Sequence, residues 1–124
     1  MEVKITFDVT QDYYLQTYRT GTGRLEVDFL FYNLRGNRGW RIYITSQIFY
    51  GRKASGSHAA HWLQDTYEEF RYICWDGRIS DLDSAKTIAA IWAECTDRYI
   101  NGTEDFDTIA SKIMRQVRWR DIDD

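Results

Sequence analysis

The sequence predicts an α+β fold: an antiparallel β-sheet of four to five strands from the first 75 residues, then two C-terminal α-helices packed on one face. Three observations predict it. Apolar residues alternate at period two in the N-terminal half, recur every three or four residues after position 81, and flank glycine-rich connections. At 124 residues, the chain fits a single domain spanning 1–124.

The first strand is expected over 2–9, where Val3, Ile5, Phe7 and Val9 alternate with Glu2, Lys4, Thr6 and Asp8. A second runs over 24–33, with Leu25, Val27, Phe29 and Phe31 alternating with Glu26, Asp28, Leu30 and Tyr32. A third covers 40–50, where Trp40, Ile42, Ile44 and Ile48 share one parity. Between the last two lies RGNRG, whose Gly36, Asn37 and Gly39 suit positive φ in a hairpin loop. Residues 60–64 and 69–75 read as a second hairpin around DTYEE. Its second arm is apolar on both faces through Tyr72, Ile73, Cys74 and Trp75, the pattern of a central strand covered by helices.

The first helix follows from Leu82, Ala85, Ile88, Ala89, Trp92, Cys95 and Tyr99, spaced three or four apart. Asp81 is placed to cap its start and Gly102 to end it. Glu94 and Arg98 are expected to pair at i,i+4 on the outer face. The second helix is expected over 104–118, with Phe106, Ile109, Ala110, Ile113, Met114 and Val117 inward and Lys112, Arg115 and Arg118 outward. Trp92 is expected to be buried between the sheet and the helices that cover it.

Composition narrows the class. The chain is 44% hydrophobic and 16% aromatic, ample material for a core. No apolar run is long enough to cross a bilayer, and the N-terminal MEVKITFDV lacks the pattern of a signal peptide. Two cysteines, Cys74 and Cys95, make no disulfide framework, so a reduced cytoplasmic setting is expected. The net charge of −3 is unevenly distributed: residues 1–62 carry eight Lys/Arg against five Asp/Glu, and residues 63–124 eight against fourteen.

No residue pattern indicates catalysis. His58 and His61 stand at i,i+3 in a loop with no acid between them, unlike the helical i,i+4 pair of HExxH. Cys95 falls on an apolar helix stripe, so no metal or other cofactor is expected. There is no GxSxG elbow for Ser55 or Ser57, Asp81 and Asp83 suit a helix start, and GTG at 21–23 lacks a phosphate-loop context. The chain is expected not to be an enzyme.

The strongest chemical signal is basic. Arg35, Arg38, Arg41, Arg52 and Lys53 sit on or beside two glycine-rich connections, interleaved with Trp40, Tyr43 and Tyr50. If those connections lie at nearby sheet ends, they form a cationic, aromatic patch for phosphates or an acidic protein surface. Strand parity keeps some of these side chains apart, and an overall pI near 5.4 is unlike a direct DNA reader. The acidic counterpart is Asp65, Glu68, Glu69, Asp76, Asp81 and Asp83 around the second hairpin and the first helix start, a grouping able to imitate phosphates.

Residues 41–106 carry a resemblance through Tyr50-Gly51-Arg52, the His61 region, YICW at 72–75, LDSAKTIAAIWAE at 82–94 and YINGTEDF at 99–106. This half of the chain is similar to small uncharacterised proteins of phages and integrative mobile elements of Gram-positive bacteria. Proteins of that size and genomic habit include anti-CRISPR inhibitors of Cas9. The resemblance implies a cytoplasmic inhibitor in a bacterial host cell, whose partner is a nuclease such as Cas9 with its guide RNA. Binding through Arg35, Arg38, Arg41, Arg52, Lys53, Glu68, Glu69 and Asp76 is the expectation. The alternative is a small DNA- or RNA-binding accessory module using the basic 35–53 loops.

Overall fold

The computed structural model describes residues 13–116. Its elements run β1 (Tyr13–Arg19), β2 (Glu26–Asn33), β3 (Trp40–Ile44), α1 (Ser57–Ala60), β4 (Trp62–Leu63), β5 (Arg71–Ile73), α2 (Leu82–Asn101) and α3 (Phe106–Gln116). The strands form one antiparallel sheet in the order β1-β2-β3-β5-β4. Helix α2 lies against β1, β2 and β3, and α3 packs on α2. The expected α+β architecture is the observed one. The strand expected at 2–9 lies outside the described residues, as do Val117 and Arg118.

Period two works as expected in β2 and β3. Val27, Phe29, Phe31, Ile42 and Ile44 are buried on the helix side, and the Phe29 ring meets Trp92 edge-on at 6.2 Å. Burying each such side chain contributes about 1.5–3 kcal/mol. The alternation fails on the other face, where Leu30 and Tyr43 are also buried. The register sets them side by side, with Tyr72 next in the row on β5.

Three local expectations are corrected. Strand β1 was not expected: YYLQTYR has no apolar alternation because it is an edge strand with nearly every residue exposed. Its Tyr and Thr content and the TGTG turn that follows were the available signals. Strand β3 ends at Ile44 rather than continuing to 50, because Thr45 and Ser46 hold Asp28 and the chain then turns Tyr50 into the core. Glu94, expected to pair with Arg98, instead accepts hydrogen bonds from the Tyr18 hydroxyl at 2.7 Å and the Gly21 amide at 3.0 Å.

The hairpin at the second pair of strands is present but short, and β5 is interior only by its place between β3 and β4. Cys74 in its second arm is exposed, so that arm is not covered on both faces. The β2–β3 loop follows the sequence closely: Gly36, Asn37 and Gly39 all take positive φ. Asp81 caps α2 by accepting from the Ser84 amide at 2.7 Å, and Asp105 does the same for α3 through Thr108 at 2.8 Å.

Trp92 is 3% exposed, between α2 and the sheet. Its indole N–H is shared between the carbonyls of Ala60 (3.3 Å) and His61 (3.2 Å), which ties α1 to the core. Among the described residues, no helix is long and apolar enough to cross a membrane.

Candidate binding cleft at one end of the sheet

Strand order decides which charges meet. The β2–β3 loop and the segment leaving β3 lie at opposite ends of a strand, so the two basic connections are apart. Arg35 and Arg38 are exposed on the first, where Arg38 donates to the Arg35 carbonyl at 2.9 Å and Arg78 donates to that of Asn37 at 3.2 Å. Arg52 and Lys53 are at the other end, where Lys53 lies 5.3 Å from the Tyr99 ring centre. The intervening run of α2, Leu82 to Tyr99, is about 25 Å long at the helical rise. The condition for a single basic patch, two connections at nearby sheet ends, is therefore not met, and the cations form two separate corners.

Arg41 belongs to neither. It lies on the sheet face away from α2, donates to Asp65 at 2.8 Å and sits 4.0 Å over the Tyr72 ring. Glu68 is in the same cluster, accepting from the Tyr43 hydroxyl at 3.0 Å. Burial pushes the Tyr43 phenol up to about 12. The hydrogen bond from Tyr72, aided by that from Arg41, holds the Asp65 carboxyl below its ordinary range. Of the other expected acidic residues, Glu69 is exposed at the basic corner's cleft, and Asp76 is exposed beside a small apolar groove near Trp75 and Met114. Glu68, Glu69 and Asp76 thus do not form one acidic row.

The corner holding Arg52 and Lys53 contains a cleft of about 710 Å³. One wall is the segment that leaves β3, residues 44–53. The opposite wall is Trp62 on β4 with Glu69, Phe70 and Arg71 at the start of β5, and Trp92 lies at its base. This wall is braced. The Trp62 indole N–H donates to the Ser55 carbonyl at 2.9 Å, and the Arg71 guanidinium stacks 3.8 Å from the Trp62 ring centre. Beside lining residues Lys53 and Ser55, the Ala54 carbonyl accepts from the Tyr99 hydroxyl at 2.8 Å, and the Lys53 amide closes a turn onto the Tyr50 carbonyl at 3.1 Å. Gly51 supplies the positive φ of that turn. Burial pushes the Tyr50 phenol up to about 12 against the opposing charge of Arg71.

Two large aromatics of this part of the chain project into solvent. Phe49 is 76% exposed on the cleft, and Tyr67 is 80% exposed on the β4–β5 loop. Tyr67 also has a φ of 71°, a conformation that costs a bulky residue. The loop beneath it is held by the Gln64 amide, which donates to the carbonyls of Glu68 (2.9 Å) and Glu69 (3.2 Å).

Both histidines lie away from the cleft lining. His58 is exposed on α1. His61 ends α1 with a φ of 58°, stacks on Phe106 at 4.6 Å and places Nε2 2.8 Å from Asp107. Cys95 is fully buried in the core, where desolvation pushes its thiol up to about 12.

Sequence reasoning missed Arg71, Trp62, Phe49 and Tyr67. For Arg71 and Trp62 no local signal existed, because only strand pairing brings them beside residues 44–53. For Phe49 and Tyr67 a signal was present: a large aromatic among turn-forming and charged residues. Comparison with protein-family models, curated proteins and solved structures finds no match to this chain.

Proposed function

We propose that the chain is a non-enzymatic binding protein of a bacterial mobile element that inhibits a defence nuclease, a Cas nuclease such as Cas9 foremost. The target class comes from the resemblance carried by residues 41–106, and that same stretch builds the cleft and contains both exposed aromatics, Phe49 and Tyr67. The observation that carries the binding site is Phe49, 76% exposed on the cleft that Lys53 and Arg71 line; Tyr67, 80% exposed, stands on the β4–β5 loop that leads into Arg71. Aromatic and arginine side chains are the types that dominate interface hot spots, and a strained, solvent-facing tyrosine fits a residue held ready for a partner.

The test is cleavage of target DNA by a Cas9–guide RNA complex preincubated with the purified protein, together with co-elution on a sizing column. Wild type is expected to suppress cleavage near equimolar ratio and to co-elute. The Phe49→Ala/Tyr67→Ala variant is expected to need at least tenfold more protein, while losing no more than about 0.5 kcal/mol of stability per exposed site. Failure of wild type to inhibit or co-elute refutes the assignment. Equal inhibition by the variant refutes the site.

A further inference from the structure

We propose that the cleft is a binding site for single-stranded nucleic acid, taking a nucleotide or two with bases against the exposed rings and phosphates on the cations. This goes beyond the inhibitor reading and does not depend on it. Single-strand sites combine a cationic groove with aromatic or guanidinium planes on which bases stack. Both parts are present. Lys53 and Arg71 line the cleft, and Arg52 stands exposed on its rim between lining residues Gly51 and Lys53. Among the described residues Glu69 is the one carboxylate in the lining, so these groups sum to a local positive charge although the chain carries −3.

The planes are fixed in advance. The Ser55 carbonyl holds the Trp62 indole, Trp62 carries the Arg71 guanidinium on its face, and the outer side of Arg71 remains exposed. The Arg71 guanidinium makes no hydrogen bond to protein among the described residues, so its donors remain available for phosphate. Arg41 and Arg24, by contrast, already bond Asp65 and Thr22. Phe49 provides a second plane with no ring partner among the described residues. A volume of about 710 Å³ suits a small ligand and is too small for a duplex.

The protein alone is titrated into three fluorescein-labelled probes: (dT)8, an abasic strand of the same length, and octaglutamate. At 50 mM salt, (dT)8 is expected to bind at least tenfold more tightly than either of the others. Three phosphate contacts give a slope of log K against log salt of about −2, hence a roughly 15–20-fold loss between 50 and 200 mM. Lys53→Gln/Arg71→Gln should reduce that slope to about −0.7, leaving one contact. Phe49→Ala should weaken (dT)8 by about tenfold, the scale of one lost base–aromatic stack, and leave the abasic strand unchanged. Equal binding of the three probes overturns the proposal in favour of a charge-only or acidic-peptide surface. No binding of (dT)8 overturns it outright, and in either case nuclease inhibition is still read independently.

Discussion

Replacing Trp92 by alanine removes the side chain that separates two voids. It lines both the 710 Å³ cleft and the 190 Å³ groove between β5 and the helices. Deleting a buried Trp costs about 3–5 kcal/mol in general. Two features of this site set the value within that range. The loss of the Phe29 edge contact and of the donor to Ala60 and His61 acts in full. The space created is continuous with the open cleft, so water enters and solvates the freed carbonyls, which favours the lower half, about 3–4 kcal/mol. Trp92→Phe separates the two contributions. It keeps an aromatic ring but removes the N–H. The His61 carbonyl retains the Cys74 amide at 3.0 Å, so only the Ala60 carbonyl is orphaned, for about 1–2 kcal/mol. The assay is urea unfolding followed by far-UV circular dichroism, since fluorescence changes with the substitution itself. If Trp92→Ala costs under about 1 kcal/mol, the packing account is wrong. If Trp92→Phe costs as much as Trp92→Ala, the hydrogen bonds and not the volume dominate, and the apportionment is refuted.

Two further outcomes follow from local geometry. Gly39 and Gly51 both have positive φ, but a Cβ on Gly39 would lie 2.4 Å from the Ile79 carbonyl oxygen, whereas one on Gly51 meets nothing within 4 Å. Gly51→Ala should cost about 1 kcal/mol and Gly39→Ala more than about 3, since the latter also displaces the carbonyl that accepts from the Trp40 amide; similar urea midpoints for the two would refute this. Asp97 is only 1% exposed: burial pushes its carboxyl up, but hydrogen bonds from Thr22, Thr20 and Asn101 and the charge of Arg24 outweigh this and hold it below the ordinary range. With its folded pKa below the unfolded value of about 3.9, its stabilisation is complete above that pH and is lost as pH falls through the folded pKa. Asp97→Asn should therefore flatten the acid limb of stability below about pH 4, and a variant that keeps the wild-type slope would contradict the assignment.

What the sequence determined by itself is what short-range periodicity encodes. The inward faces of β2 and β3, the stripes of α2 and α3, the Asp81 cap and the positive-φ turn at Gly36, Asn37 and Gly39 all depend on neighbours within a few residues. The edge strand β1 escaped because an exposed strand leaves little apolar alternation to detect. Which charges are consumed and which are presented depends instead on long-range strand pairing. Arg41 looked like part of a basic patch, yet pairing of β3 with β5 brings it over Tyr72 and into reach of Asp65 and Glu68. Arg71 carries no local signal, yet the same pairing places it opposite Ile44 and beside the segment that carries Lys53. Coulomb and stacking interactions act through space at a few ångströms, and the distances between residues so far apart in the chain are fixed by the strand order β1-β2-β3-β5-β4, which no local pattern contains.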